Sequence, residues 1–258
     1  MKLKSAFMPY VCCGDPSTEF TIKLVEKLVS SGADAVELGI PFSDPIADGK
    51  TIQAASARSL NNGMTPKKAI EIIQKLRENG IGVPLIVMTY YNIIYANGGE
   101  KFIKSIKEAG ANAIIVPDVP LEESEELHRQ CEGNDVDLVY LVTPNCDDER
   151  LKKIAEKSKG FLYAVAVLGI TGTRENVRPE ALELIKRAKK VTTLPLVVGF
   201  GVSNANQAKE YMKAGAEGII VGSKIVDIYS KYLENEEKAL SEIAKFTKEI
   251  KGAIDTKI

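Results

Sequence analysis

Gly32-Ala33-Asp34-Ala35-Val36-Glu37-Leu38-Gly39-Ile40-Pro41-Phe42-Ser43-Asp44-Pro45-Ile46-Ala47-Asp48-Gly49 contains a helix end, a strand and a loop in immediate succession. Glycine closes a helix in the left-handed conformation, and the small residues after it let the chain turn tightly. The apolar run that follows, Ala35–Glu37, then reads as a strand. The opening of the stretch recurs as Gly110-Ala111-Asn112-Ala113-Ile114 and as Gly215-Ala216-Glu217-Gly218-Ile219. Three helix-to-strand junctions built alike are the mark of a repeated βα unit.

The sequence predicts strands at Phe7–Cys12, Ala35–Glu37, Pro84–Thr89, Ala113–Val116, Asp137–Val142, Phe161–Val167, Pro195–Gly199 and Gly218–Val221. Between them, apolar residues recur three or four apart, as in Phe20, Leu24 and Leu28 or Ile70, Ile73 and Leu76. Eight strands alternating with helical segments imply a parallel sheet closed into a single (β/α)8 TIM barrel. No linker-like or low-complexity stretch divides the chain, so residues 1–258 are expected to form one domain.

Acidic residues number 35 against 34 Lys plus Arg, which leaves no field to gather a polyanion and argues against nucleic-acid binding. No apolar run approaches the ~20 residues that span a bilayer. The start, Met1 to Phe7, lacks the apolar block of a signal peptide. Cys12, Cys13, Cys131 and Cys146 form no C-x-x-C pair and are expected to be reduced thiols of a cytoplasmic protein. His128, the only histidine, falls in a polar stretch expected to be a solvated helix face. Serine–histidine catalysis and multi-histidine metal sites are therefore excluded, and proton transfer falls to carboxylates, tyrosines or lysines.

In a barrel of this kind the loops after the strands form the active face. Glu37 lies at a strand end, where its side chain should aim into the barrel mouth, because Val36 and Leu38 point the other way. No strand carries a lysine or arginine near its end to pair with it, so an acid–base task is expected. Asp44 and Asp48 in the next loop face the same mouth, although both also suit a turn. Tyr10, Tyr90 and Tyr163 are phenols that can reach the mouth, and Ile52, Met88 and Phe200 can line a slot for a flat ring. Asp118 is a further candidate.

Gly199-Phe200-Gly201 ends the seventh strand, and Gly222-Ser223 follows the eighth. Glycines there let backbone N–H groups approach an anion, and a short helix from Ser223 adds its positive end. Gly172, in the glycine-rich loop 168–178 after the sixth strand, can supply a third wall. That loop reads as a lid. Ser203 is expected to cap the helix Asn204–Lys213. The ligand should carry a phosphate.

Taken together, Pro9-Tyr10-Val11, Gly14-Asp15-Pro16, Glu37 to Gly49, Thr51-Ile52-Gln53, Tyr90 with Asn92, Pro117-Asp118-Val119-Pro120, Gly169-Ile170-Thr171-Gly172, Gly199-Phe200-Gly201 and Val221-Gly222-Ser223 resemble the tryptophan synthase alpha subunit family. The resemblance implies a lyase that splits indole-3-glycerol phosphate into indole and glyceraldehyde 3-phosphate. It makes Glu37 the general acid–base, Asp48 the partner of the indole N–H, and Tyr163 an assistant near the ring. Tyr10, Ile52, Met88, Tyr90 and Phe200 would shape the ring pocket. Gly172, Gly201, Gly222 and Ser223 would hold phosphate, and Thr171 would bond Asp48. It also implies a beta-subunit partner in an α2β2 heterotetramer, with pyridoxal phosphate in that partner and no cofactor in this chain. Asp44, Pro45 and Asn92 match positions near the family's interface. The sequence departs from the family in a short N-terminus, without the usual leading helix, and in Tyr10 where phenylalanine is common. Two other readings stay open from the residues: another phosphate-binding barrel lyase or isomerase, and a non-catalytic subunit that binds a phosphate ligand to regulate a partner. A Schiff-base aldolase would need a lysine that Phe161–Val167 lacks.

Overall fold

The computed structural model describes residues 3–165, 177–199 and 201–255. Nine parallel strands lie in the order β5-β4-β3-β2-β1-β9-β8-β7-β6. They are β1 (Ala6–Cys12), β2 (Val36–Gly39), β3 (Leu85–Met88), β4 (Ala113–Ile115), β5 (Asp137–Val139), β6 (Leu141–Val142), β7 (Leu162–Val165), β8 (Leu196–Gly199) and β9 (Gly218–Val221). The two ends of this order, β5 and β6, are separated in the chain by Tyr140 alone. Residues 137–142 thus run beside β4 with their first half and beside β7 with their second, which closes the ring.

The sequence predicts one strand over 137–142; the structure breaks it for a local reason. The Tyr140 N–H donates to Ser158 Oγ at 3.1 Å, while the Tyr140 carbonyl accepts from Tyr163 N–H on β7. Elsewhere β1, β2, β3, β7, β8 and β9 are buried along their whole length. That burial explains why they read as continuous apolar runs rather than alternating ones.

The repeated Gly-Ala-x junctions account for the base of the barrel. Gly32, Gly110 and Gly215 all adopt positive φ, between 102° and 111°. The N–H of Ala33, Ala111 and Ala216 each returns to a carbonyl in the last helical turn, at Leu28, Ile106 and Tyr211. The third residue of the motif then makes a two-way pair with the preceding strand. Asp34 donates its N–H to the Phe7 carbonyl and accepts the Phe7 N–H on Oδ2 at 2.8 Å. Asn112 does the same with Leu85, at 2.9 Å in each direction, and Glu217 with Leu196. A strand start therefore leaves no orphan donor at these three places. Each acceptor also holds a cation: Lys251 at Asp34, Arg77 at Asn112 and Lys189 at Glu217.

Helices start on side-chain caps at Ser17, Thr65, Asp147 and Asn204. The last corrects the expectation for Ser203. Asn204 caps the helix Ala205–Lys213, whereas the N–H and hydroxyl of Ser203 bond Gln207 Oε1. All four cysteines are free and buried. His128 is half-buried, with Nδ1 shielded and without a partner among the described residues, so it is less solvated than its polar neighbours suggest. Among the described residues, no helix is long and apolar enough to cross a membrane.

Asn112→Leu removes the acceptor for the Leu85 N–H and should cost about 2 kcal/mol. Asn112→Asp keeps an acceptor beside Arg77, as positions 34 and 217 do naturally, and should cost under about 1 kcal/mol. Urea denaturation of the two variants checks the ordering; equal losses would mean that the strand-start bond contributes nothing.

Candidate active site

A cavity of about 300 Å³ opens where β1, β2, β3, β7, β8 and β9 end. Tyr10, Glu37, Asp48, Ile52, Met88 and Tyr163 line it, and Gly201, Gly222 and Ser223 line it as well. The sequence picked all nine. Tyr90 does not line the cavity but stands behind Asp48. Thr171, Gly172 and Phe200 lie outside the described residues, as does the expected lid apart from Val177 and Arg178.

Strand register fixes which way Glu37 points. It pairs with Tyr10 on β1 and Ile86 on β3, so the three side chains share the inner face of the ring. Glu37 is 3% exposed, and among the described residues its Oε2 has no hydrogen-bond partner. Burial, and secondarily the charge of Asp48, pushes its pKa up to about 8.

Asp48 is half-buried in the loop after β2. Burial lifts its pKa to about 6, against the lowering effect of the Tyr90 hydroxyl, which donates to Asp48 Oδ2 at 3.0 Å. Tyr90 is itself fixed: it accepts the Ala47 N–H at 3.1 Å and stacks on Phe42 with ring centroids 5.1 Å apart. Between pH 6 and 8, then, Asp48 is predominantly charged while Glu37 predominantly keeps its proton. Two carboxyl groups in one cavity with pKa values pushed apart can serve as a proton donor and a charge stabiliser.

Tyr10 and Tyr163 are placed by the same device. Each phenol lies across the glycine that ends the neighbouring strand, Gly39 on β2 or Gly199 on β8, where any Cβ would collide with the hydroxyl and ring. The opposite wall is built of backbone. Gly222 precedes the helix Ser223–Tyr229, and Gly201, at φ 90°, follows β8. Successive N–H groups with little side chain around them suit an anion.

Ser203, Lys224 and Asp227 also reach the cavity, and the sequence reading missed them. Lys224 adjoins Gly222-Ser223, so its place was available from the glycine signal; Asp227 follows one helical turn later. Asp118, a candidate from sequence, serves structure instead. Its carboxylate accepts the Tyr91 N–H at the start of the helix Tyr91–Ala96. Among the described residues no group of three or more His, Cys, Asp or Glu stands ready to hold a metal ion. Asp44 and Asn92 are exposed on the rim, near the strongly exposed apolar side chains Ile46 and Tyr95.

The sequence model of the family described as "Tryptophan synthase alpha chain" matches residues 1–255. A tryptophan synthase alpha chain of Methanocaldococcus jannaschii is 51% identical over 233 residues, covering 90% of this chain and 82% of the relative. One from Arabidopsis thaliana is 41% identical over 251 residues, covering 97% and 90%. The tryptophan synthase A-subunit of Pyrococcus furiosus superposes with a TM-score of 0.90 at 37% identity, over 98% of this chain and 100% of that one. A chain of the tryptophan synthase α2β2 complex from the same organism gives 0.91 at 37% identity, with the same coverage.

Because the folded-state pKa of Glu37 lies above its ordinary value of 4.5, stability is greatest while it is protonated and falls as pH rises through that window to about 8. Glu37→Gln should therefore stabilise the fold more at pH 9 than at pH 5, by at most about 5 kcal/mol. Paired thermal melts at the two pH values check this, and a gap that narrows with pH would contradict a carboxyl buried without a partner.

Proposed function

The chain belongs to the tryptophan synthase alpha chain family, and we propose that it cleaves indole-3-glycerol phosphate to indole and glyceraldehyde 3-phosphate. The observation that carries this reading is the pair Glu37 and Asp48, two carboxyl groups at one cavity with pKa values of about 8 and about 6. Near neutral pH, Glu37 gives its proton to the indole carbon that bears the glycerol chain. The ring becomes an indolenine, and the charged Asp48 holds its N–H and stabilises the positive charge. Glu37, now a carboxylate, takes the proton of the adjacent glycerol hydroxyl. The carbon–carbon bond breaks, its electrons restore the indole, and the hydroxyl carbon leaves as the aldehyde. Atoms and protons balance, with Glu37 returned to its starting form.

Tyr163 would assist near the ring, and Tyr10, Ile52, Met88 and Phe200 would form its slot. Tyr90 contributes through Asp48, whose charged form its hydroxyl favours. Gly172, Gly201, Gly222 and Ser223 would hold the phosphate, and Thr171 would bond Asp48. The reaction needs no cofactor in this chain. The indole would pass to a pyridoxal-phosphate beta subunit within an α2β2 assembly. Asp44, Pro45 and Asn92 would meet that partner on the rim where Ile46 and Tyr95 present apolar surface. The whole chain would act as a single barrel domain in the cytoplasm.

Indole release from indole-3-glycerol phosphate tests the reading, with and without a beta subunit. The parent chain should be active and stimulated by the partner, whereas Glu37→Gln and Asp48→Asn should each lower kcat roughly 10²- to 10⁴-fold. Ligand binding without release under any condition would favour the regulatory-subunit reading. Full turnover by Glu37→Gln would remove the acid–base assignment.

A further inference from the structure

The cavity stands between the starts of two helices. Lys50–Asn61 begins directly after Asp48 and Gly49, and its Lys50, Thr51 and Ile52 face the cavity. Ser223–Tyr229 begins at the backbone wall proposed to hold phosphate, with Ser223 and Lys224 facing the cavity. The far ends of these helices meet at one buried carboxylate. Asp15, fully buried just past β1, accepts from Arg58 Nε at 2.8 Å on one oxygen and from Arg58 Nη2 at 2.7 Å on the other. The Tyr229 hydroxyl donates to Asp15 Oδ2 at 2.6 Å, and Arg58 Nη2 also donates to Ser230 Oγ at 3.0 Å. Tyr229 is completely buried against the ring of Phe20.

A bidentate arginine–carboxylate pair has a fixed geometry, and here the carboxylate is fully buried while the guanidinium side chain is 30% exposed. Arg58 lies two turns beyond Ile52, and Tyr229 closes its short helix, so each residue transmits position along a rigid element to the cavity. The site needs such fixing. Glu37 faces the cavity with a buried oxygen that has no partner among the described residues, and small displacements of the opposing walls change what can reach it. A barrel held together only by its strands would have no reason to join these two helix ends through a charged group, since an apolar contact there avoids the desolvation cost.

We propose that Asp15, Arg58 and Tyr229 are positioning residues, a strut that sets the separation between the Asp48 side of the cavity and its phosphate-holding wall. The proposal rests on the phosphate assignment made above. It entails a division of labour that a general stabilising role does not. Loss of the Tyr229 bond should be felt at the phosphate wall, and loss of the Arg58 fork at Asp48.

Tyr229→Phe and Arg58→Lys leave the ring and the charge in place, so both should fold where Asp15→Ala fails. The full chain and these two variants would be titrated calorimetrically with glycerol 3-phosphate, and indole release would be measured with the beta subunit present. Tyr229→Phe should weaken glycerol 3-phosphate binding and raise KM roughly three- to tenfold, with kcat within about twofold. Arg58→Lys should lower kcat roughly three- to tenfold and leave that affinity within about twofold. Variants that bind and turn over like the parent, or that lose both properties in equal proportion as their melting temperatures fall, would reduce the cluster to a stability element. A parent chain that does not bind glycerol 3-phosphate would overturn the phosphate assignment and this proposal with it.

Discussion

Closure of the parallel ladder fixes the register of every strand in the ring. Residues 137–142 serve β4 on one side and β7 on the other, so no strand is free to slip against its neighbours. In a parallel sheet a one-residue slip turns every side chain to the other face. Here it would send Glu37 out among the helices and bring Val36 or Leu38 to the cavity. The chemistry of the mouth is thus a property of the ring before it is a property of any loop.

Much of this was legible in the chain because the relevant signals are local. The three Gly-Ala-x junctions announce a repeated unit, and a lone carboxylate ending an apolar strand announces a site. What escaped reading is what forms only when distant segments meet. Tyr90 is a pocket residue by sequence but a hydrogen-bond donor to Asp48 in space, because the loops after β2 and β3 close on each other. Asp118 looked available for chemistry and is occupied by the Tyr91 N–H. Ser203 and Asn204 are equally good caps by residue type, and only the backbone path selects Asn204. The Tyr140 break depends on Ser158, on a separate turn.

The two mouth carboxyls illustrate how one ring provides two environments. Glu37 belongs to the ladder and cannot turn toward water, so desolvation dominates it. Asp48 belongs to a loop, retains some exposure and receives a phenol. Neither difference needs a cation nearby. Depth, one hydroxyl and the charge of Asp48 acting on Glu37 separate a group that keeps its proton at neutral pH from one that does not.

The strand-start pairs at the base of the barrel also bear on how the chain assembles. Phe7 is capped by Asp34 and Leu85 by Asn112, both 27 residues away, and Leu196 by Glu217, 21 residues away. Each cap closes within a single βα unit, so it demands only a short loop closure and can form before the ring exists. The seam between β1 and β9, which joins Ala6 to Gly218, spans nearly the whole chain. Early order should therefore collect in individual units along the sequence, with the cavity, which needs walls from both sides of that seam, among the last features to appear.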